Sequence, residues 1–282
     1  MNIIEAIILG IIQGITEFLP ISSTGHLTLA GKLMNLVSQD HPEQWTAFIA
    51  VIQLGTLAAV LIYFRKDIIN IISSFFKDNL SSKTRFSEQS RNSKLGWLII
   101  IGTIPVVIIG LSFKHVIEGT LTKNLYVIAG SLIGLAIILA LAEMVAKFKK
   151  EMKDLNIIDA LIIGIAQCFA LIPGSSRSGT TITGGLFVGL NREAAARFSF
   201  LLSIPAVLAS GLLEFYESLA FVNSSMALNL IVSTVVSGIS GYLAIDFLLK
   251  YLRKNTTFLF VYYRIALGII IIVLLSLNII QP

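Results

Sequence analysis

Long apolar stretches, broken at intervals by short clusters of charge, set the pattern of this chain. A bilayer's hydrocarbon core of about 30 Å calls for roughly 20 consecutive apolar residues of helix. Six runs approach that length: 46–64, 97–113, 124–146, 194–213, 226–249 and 256–279. Two other apolar regions are interrupted. Residues 3–37 carry Glu5, Gln13, Glu17 and a turn from Pro20 to Gly25, and residues 156–190 carry Asp159, Gln167 and a turn from Pro173 to Gly179. Each predicts helix, loop, helix with neither arm long enough to span. That is a re-entrant hairpin, whose loop backbone must be covered by protein or water. Residues 1–20 do not read as a cleaved leader, since no basic segment precedes the apolar run and no small-residue cleavage site follows it.

Lys and Arg orient the spans. Residues 65–96, 147–155 and 250–255 hold most of the basic residues and are expected to face the cytoplasm. Segments 38–45, 114–123 and 214–225 hold Asp40, Glu43, Glu118, Glu214 and Glu217 against only Lys114 and Lys123, and are expected to face out. His41 and His115 fall in those outer segments and read as solvated or interfacial. Asp246 and Arg264 fall inside spans, where an unpaired charge is costly, so pairing with each other is the first expectation.

The two broken regions also resemble each other. Glu5-Ala-Ile-Ile-Leu-Gly-Ile-Ile-Gln13 aligns with Asp159-Ala-Leu-Ile-Ile-Gly-Ile-Ala-Gln167, and each continues to a proline and a pair of serines. The expected fold is therefore an all-α polytopic membrane protein built as an inverted-topology repeat. Each half has one re-entrant helix-loop-helix and three transmembrane helices, and three being odd, the second copy is inverted. Residues 1–155 form the first repeat: hairpin 3–37, spans 46–64, 97–113 and 124–146, and a cytoplasmic loop at 65–96. Residues 156–282 form the second: hairpin 156–190 and spans 194–213, 226–249 and 256–279.

Composition agrees. Of 282 residues, 55% are hydrophobic and 13% charged, about half the charge of an ordinary soluble domain, and far too apolar for disorder. A lone cysteine, Cys168, excludes a disulfide framework within the chain. The net charge of +5 suggests no nucleic-acid partner, because the basic residues flank apolar runs rather than alternating with aromatics.

The costly polar residues concentrate in the hairpins. In the first, Gln13 and Glu17 share a helical face and lead into Pro20-Ile21-Ser22-Ser23-Thr24-Gly25-His26. In the second, Gln167 precedes Pro173-Gly174-Ser175-Ser176-Arg177-Ser178-Gly179-Thr180-Thr181. Glycines and small hydroxyl residues let backbone approach a ligand, and a helix starting after such a loop directs its positive end at an anion. Arg177 adds a planar fork suited to phosphate. His26 can act as nucleophile or as general acid and base, Ser23 offers a hydroxyl, and Glu17 can orient or deprotonate either. Phosphoryl transfer needs chiefly positioning and positive charge. A serine-rich turn is often only a helix break satisfied by its own hydroxyls, but two such turns that both carry charged residues are harder to explain that way.

Gln13-Gly-Ile-Thr-Glu17-Phe-Leu-Pro-Ile-Ser22-Ser23-Thr24-Gly25-His26 and Pro173-Gly-Ser-Ser-Arg177-Ser-Gly-Thr-Thr181 closely resemble the two signature motifs of the bacterial undecaprenyl-diphosphate phosphatase, or bacitracin-resistance, family. The resemblance covers essentially the whole chain. It implies an enzyme of the bacterial cytoplasmic membrane that removes the terminal phosphate from undecaprenyl diphosphate, recycling the lipid carrier of wall synthesis. Bacitracin would be linked indirectly, through the shared lipid. Carried over, the catalytic set is Glu17, Ser23 and His26. The family's motifs also fall on Gln13, Ser176, Arg177 and Thr181, and with the loop residues Ser22, Thr24, Gly25, Gly174, Ser175 and Ser178 these make the expected binding set. Some members have glutamate where Gln13 stands, and glutamine cannot serve as a base, so Glu17 is the better candidate for base or metal ligand. The residues fix no cofactor, and a divalent cation, Mg or Ca, is compatible with them. Family proposals differ on whether serine or histidine attacks phosphorus. The pocket is expected to open outward. The rival expectation is a transporter or flippase of a phosphorylated lipid built on the same repeat, and a hybrid of the two is the third. Nothing in the sequence fixes an oligomeric state.

Overall fold

The computed structural model describes all residues except 38–41, 114–123, 219–223 and 282. The expected outer segments, with His41 and His115, lie largely outside the described residues. Eleven α-helices stand among the described residues: α1 (Ile3–Phe18), α2 (Ser23–Leu33), α3 (Pro42–Tyr63), α4 (Arg65–Phe76), α5 (Arg91–Ser112), α6 (Leu125–Val145), α7 (Ile157–Cys168), α8 (Arg177–Phe187), α9 (Arg192–Ser218), α10 (Ser224–Leu252) and α11 (Phe258–Ser276). The protein is an all-helical, multi-pass membrane protein. Five helices or helix segments are long and apolar enough to cross a bilayer: α5, α6, Arg192–Leu212 of α9, Ala227–Leu252 of α10, and α11. A sixth candidate is α3, which bends by 76° into Arg65–Ser81. Their outer faces are apolar, as a lipid-facing surface requires, with Ile104, Leu111, Ile231 and Leu243 all exposed.

The two interrupted regions form the expected helix pairs, and each arm begins by the same local chemistry. Asn2 caps α1 by accepting from the Glu5 amide at 2.9 Å while Glu5 accepts from the Asn2 amide at 2.7 Å. Asn156 and Asp159 repeat the box on α7, at 3.0 and 3.2 Å. At 16 and 12 residues, these arms rise about 24 and 18 Å, short of a bilayer core.

Residues 65–96 are not a loop throughout. Arg65, Lys66 and Asp67 open α4, and a stripe of Ile68, Ile71, Ile72 and Phe75 lays that helix on α5. The helical period of the apolar residues decides the structure here, and counting basic residues does not register it. A polar knot closes the pair. Asp78 accepts from the Ser90 amide at 2.8 Å and its hydroxyl at 2.7 Å, and Asn79 accepts from Gln89 at 2.9 Å and Trp97 at 3.2 Å.

Helix pairing crosses between the halves. α1 packs on α10 and α7 on α5, while α3 packs on both α9 and α10, and α6 on α11. Small residues permit these crossings. A Cβ at Gly14 would stand 2.6 Å from the Gly241 amide, and one at Gly164 would meet the Gly102 carbonyl. At the opposite end from the hairpin loops, Glu143 of α6 accepts from the Arg192 guanidinium and, at 2.9 Å, from the Thr257 hydroxyl. Lys150 pairs with Asp159 at 2.9 Å and forms an isolated bridge to Leu190.

Candidate active site

The two loops share a backbone. Ser22, which caps α2, has φ 76° and ψ 99°, and Ser176, which caps α8, has φ 68° and ψ 109°. Both lie at positive φ, which costs a non-glycine residue on the order of 1–3 kcal/mol and persists only where surrounding contacts impose it. Each serine hydroxyl accepts from the amide three residues on, Gly25 or Gly179, at 3.2 Å. The first amides of both helices are thereby turned toward the loops, as an anion site requires.

Across this frame the hairpins meet. Ser178 donates its hydroxyl to the Leu19 carbonyl at 3.0 Å, joining one loop to the other. Glu17, 5% exposed, collects four donors. Its Oε1 accepts from Arg177 Nη2 at 2.7 Å and from Gln53 Nε2 at 2.9 Å. Its Oε2 accepts from the Ser23 hydroxyl at 2.7 Å and from Gln13 Nε2 at 3.1 Å. Gln13 and Glu17 face each other because they are one turn apart on α1. A buried carboxylate needs such a set, since its charge is otherwise far from water.

Positive charge remains in excess. Arg177 Nε and Nη1 are buried and have no hydrogen-bond partner among the described residues, as are Nε and Nη1 of Arg264 and the Ser175 hydroxyl. Arg264 is fully buried and gives Nη2 to the Ser175 carbonyl at 2.9 Å. It does not pair with Asp246. That carboxylate takes Lys250 at 2.7 Å, one turn along α10, and the Tyr63 hydroxyl at 3.2 Å. The expected pairing fails because each charge has a nearer partner on its own side.

His26 lies on α2 beyond Ser23, with Nδ1 2.7 Å from the Ser22 carbonyl oxygen and Nε2 2.7 Å from the Tyr263 hydroxyl. Gly25 packs against Ile128, and Thr24 is half-buried on the first turn of α2. Gly174 has φ 86° beside Ile128 and Ser131, with Ser131 donating to the Pro173 carbonyl. Thr181 is fully buried on α8, donating to the Arg177 carbonyl at 2.7 Å and hydrogen-bonded to Ser199 at 2.5 Å. Gln53, Tyr263, Ser131 and the loop contact of Arg264 are additions that sequence reasoning did not make. Gln53 did leave a signal: it is a polar side chain in the middle of the apolar run 46–64.

As arranged, the site can bind an anion on unpartnered guanidinium nitrogens and helix amides, and it can draw the proton of a serine hydroxyl toward a carboxylate. Among the described residues no three His, Cys, Asp or Glu side chains converge as a metal would need.

Comparison with known proteins bears on the same elements. The family Bacitracin resistance protein BacA matches residues 6–270. The undecaprenyl-diphosphatase of Syntrophobacter fumaroxidans is 60% identical over 268 residues, 95% of each chain. That of Chloroherpeton thalassium is 52% identical over 288 residues, 99% of this chain and 98% of the relative. That of Chlorobaculum tepidum is 49% identical over the whole of both chains. With the family matched over residues 6–270, this chain belongs to the bacitracin resistance protein BacA family.

Proposed function

We propose that this protein hydrolyses undecaprenyl diphosphate to undecaprenyl phosphate and inorganic phosphate. The observation that carries the site assignment is Glu17 binding Ser23 and Arg177 at once. One carboxylate thereby holds a nucleophile beside a guanidinium that still has two free nitrogens.

The terminal phosphate binds to Arg177 and the amides at the starts of α2 and α8, and its equatorial oxygens take the positive charge that phosphoryl transfer demands. Ser23 Oγ then attacks the terminal phosphorus. Its proton passes to Glu17 Oε2, and the bond to the bridging oxygen breaks, releasing undecaprenyl phosphate. Water then attacks the phosphoserine phosphorus, losing its proton to His26 Nε2, and the bond to Ser23 Oγ breaks as Glu17 returns its proton to that oxygen, releasing inorganic phosphate. Ser23 takes the attacking role because its hydroxyl already donates to the carboxylate, whereas the free lone pair of His26 is held by Tyr263. A divalent cation of the magnesium type would find one carboxylate ligand on this chain, Glu17, and would add charge neutralisation beside the diphosphate.

The transporter reading gives way. A carrier needs anion donors but not a serine hydroxyl held on a carboxylate, and full-length relatives at 49–60% identity are diphosphatases by name. The repeat itself remains part of the proposal. The exchange of partners, α1 on α10 and α7 on α5, is what an in-plane two-fold axis would give. With basic segments inside, the site lies in the bacterial cytoplasmic membrane and opens to its outer face. Resistance to bacitracin follows from removal of the diphosphate lipid.

The test is phosphate release from a C55 isoprenyl diphosphate in detergent by the purified protein and its Glu17→Ala and His26→Ala forms, with and without a chelator. Release by the parent that collapses in both variants supports the assignment. No release from folded parent overturns it.

A further inference from the structure

Two consecutive residues of α11 touch the two hairpins of the site, one each. Arg264 donates Nη2 to the Ser175 carbonyl at 2.9 Å, and its Nη1 lies so close to Gly179 that a Cβ there would stand 2.7 Å away. The helix is thereby fixed in height and rotation against the second loop. Tyr263, the preceding residue, reaches the first hairpin. Its hydroxyl is 2.7 Å from His26 Nε2, and its ring lies parallel to the imidazole, 8° between planes and 5.5 Å between centroids.

The partners of the imidazole fix where its proton sits. A carbonyl oxygen can only accept, so the Nδ1 that stands 2.7 Å from the Ser22 carbonyl carries the hydrogen of the neutral ring. Nε2 therefore presents a lone pair, and the Tyr263 hydroxyl donates to it. No other side chain among the described residues hydrogen-bonds to the ring.

We propose that Tyr263 is the positioning residue for His26. It holds the plane of the imidazole and keeps the Nε2 lone pair oriented until substrate water replaces the phenol as its partner. Tyr263 is 45% exposed, so its hydroxyl has room to withdraw without disturbing the core. It transfers no proton of its own. The assignment rests on the phosphatase reading, in which His26 Nε2 is the base for hydrolysis.

Tyr263→Phe keeps the ring and its stacking and deletes the hydroxyl. Loss of one hydrogen bond to the base is expected to lower kcat about tenfold, with KM for a C55 isoprenyl diphosphate and the thermal midpoint unchanged. In protein labelled with 15N-histidine, the His26 Nε2 resonance, assigned by its loss in His26→Gln, should shift while that of Nδ1 stays. An unmoved Nε2 resonance overturns the proposal, as does parental kcat in Tyr263→Phe or a fall in kcat that only tracks a lowered midpoint. The underlying reading fails separately: parental turnover by His26→Gln removes the role of His26 in the reaction, and the positioning role with it.

Discussion

Arg177 gives one guanidinium nitrogen to Glu17 at 2.7 Å and keeps two others buried without a partner among the described residues. The ion pair joins α8 to α1 across the meeting of the hairpins, and it uses only part of the guanidinium. A terminal phosphate can therefore bind before the pair separates, and its arrival weakens the hold of Arg177 on Glu17 as the carboxylate is needed to take a proton.

Arg177→Ala should lower kcat/KM about 10²–10³-fold, the usual effect of removing a donor aimed at developing charge. It also leaves a buried carboxylate without its cation, so the fold should weaken by a few kcal/mol, about 3–5 for a fully buried pair. Arg177→Lys restores charge but not the fork. It should recover stability in a thermal unfolding assay while phosphate release stays low.

Glu17→Gln separates binding from chemistry. The substitution is isosteric, frees Arg177 and removes the nearest negative charge, so inorganic pyrophosphate should bind at least as tightly as to the parent. Turnover should fall about 10²–10⁴-fold through loss of the base. Isothermal titration alongside phosphate release checks both; weaker pyrophosphate binding in this variant would contradict the electrostatic account.

In the proposed mechanism Ser23 and His26 act in successive steps, so their variants should differ in kind. His26→Ala should form the phosphoserine and stall, releasing a burst of undecaprenyl phosphate and retaining label from terminally 32P-labelled substrate. Ser23→Ala should retain none. Label on a histidine, or a burst absent from His26→Ala, would reverse the order of roles.

Glu143 lies outside the reaction, with its side chain 2% exposed and held by Arg192 and Thr257. Arg192→Leu should cost about 3 kcal/mol, the lower range for breaking a buried pair, because the arginine is partly exposed. Turnover per folded molecule should be unchanged. Chemical denaturation followed by circular dichroism measures the first, and phosphate release the second.

The hairpins and most of the spans could be read from the sequence because their signals are costly ones. Gln13, Glu17 and Arg177 stand in apolar surroundings where a polar side chain needs a reason. Gln53 offered the same signal and belongs to the same carboxylate. Tyr263 offered none, since a tyrosine within or near a span is equally at home at the membrane interface. The partner of Arg264 was misread because only carboxylates were weighed as acceptors. A positive-φ turn turns out to leave a carbonyl where the guanidinium can reach it. The amphipathic α4 was hidden beneath a count of basic residues whose periodicity carried the information.

The matching backbones at Ser22 and Ser176 set two equal cradles opposite each other, yet their contents differ. The first brings acid, nucleophile and imidazole, and the second brings the arginine. Two copies of the first hairpin would hold a buried carboxylate with no guanidinium to face it, and two copies of the second would lack any group to accept a serine's proton. On the proposed mechanism the frame that the two loops share suffices to cradle an anion, and cleavage depends on what they do not share.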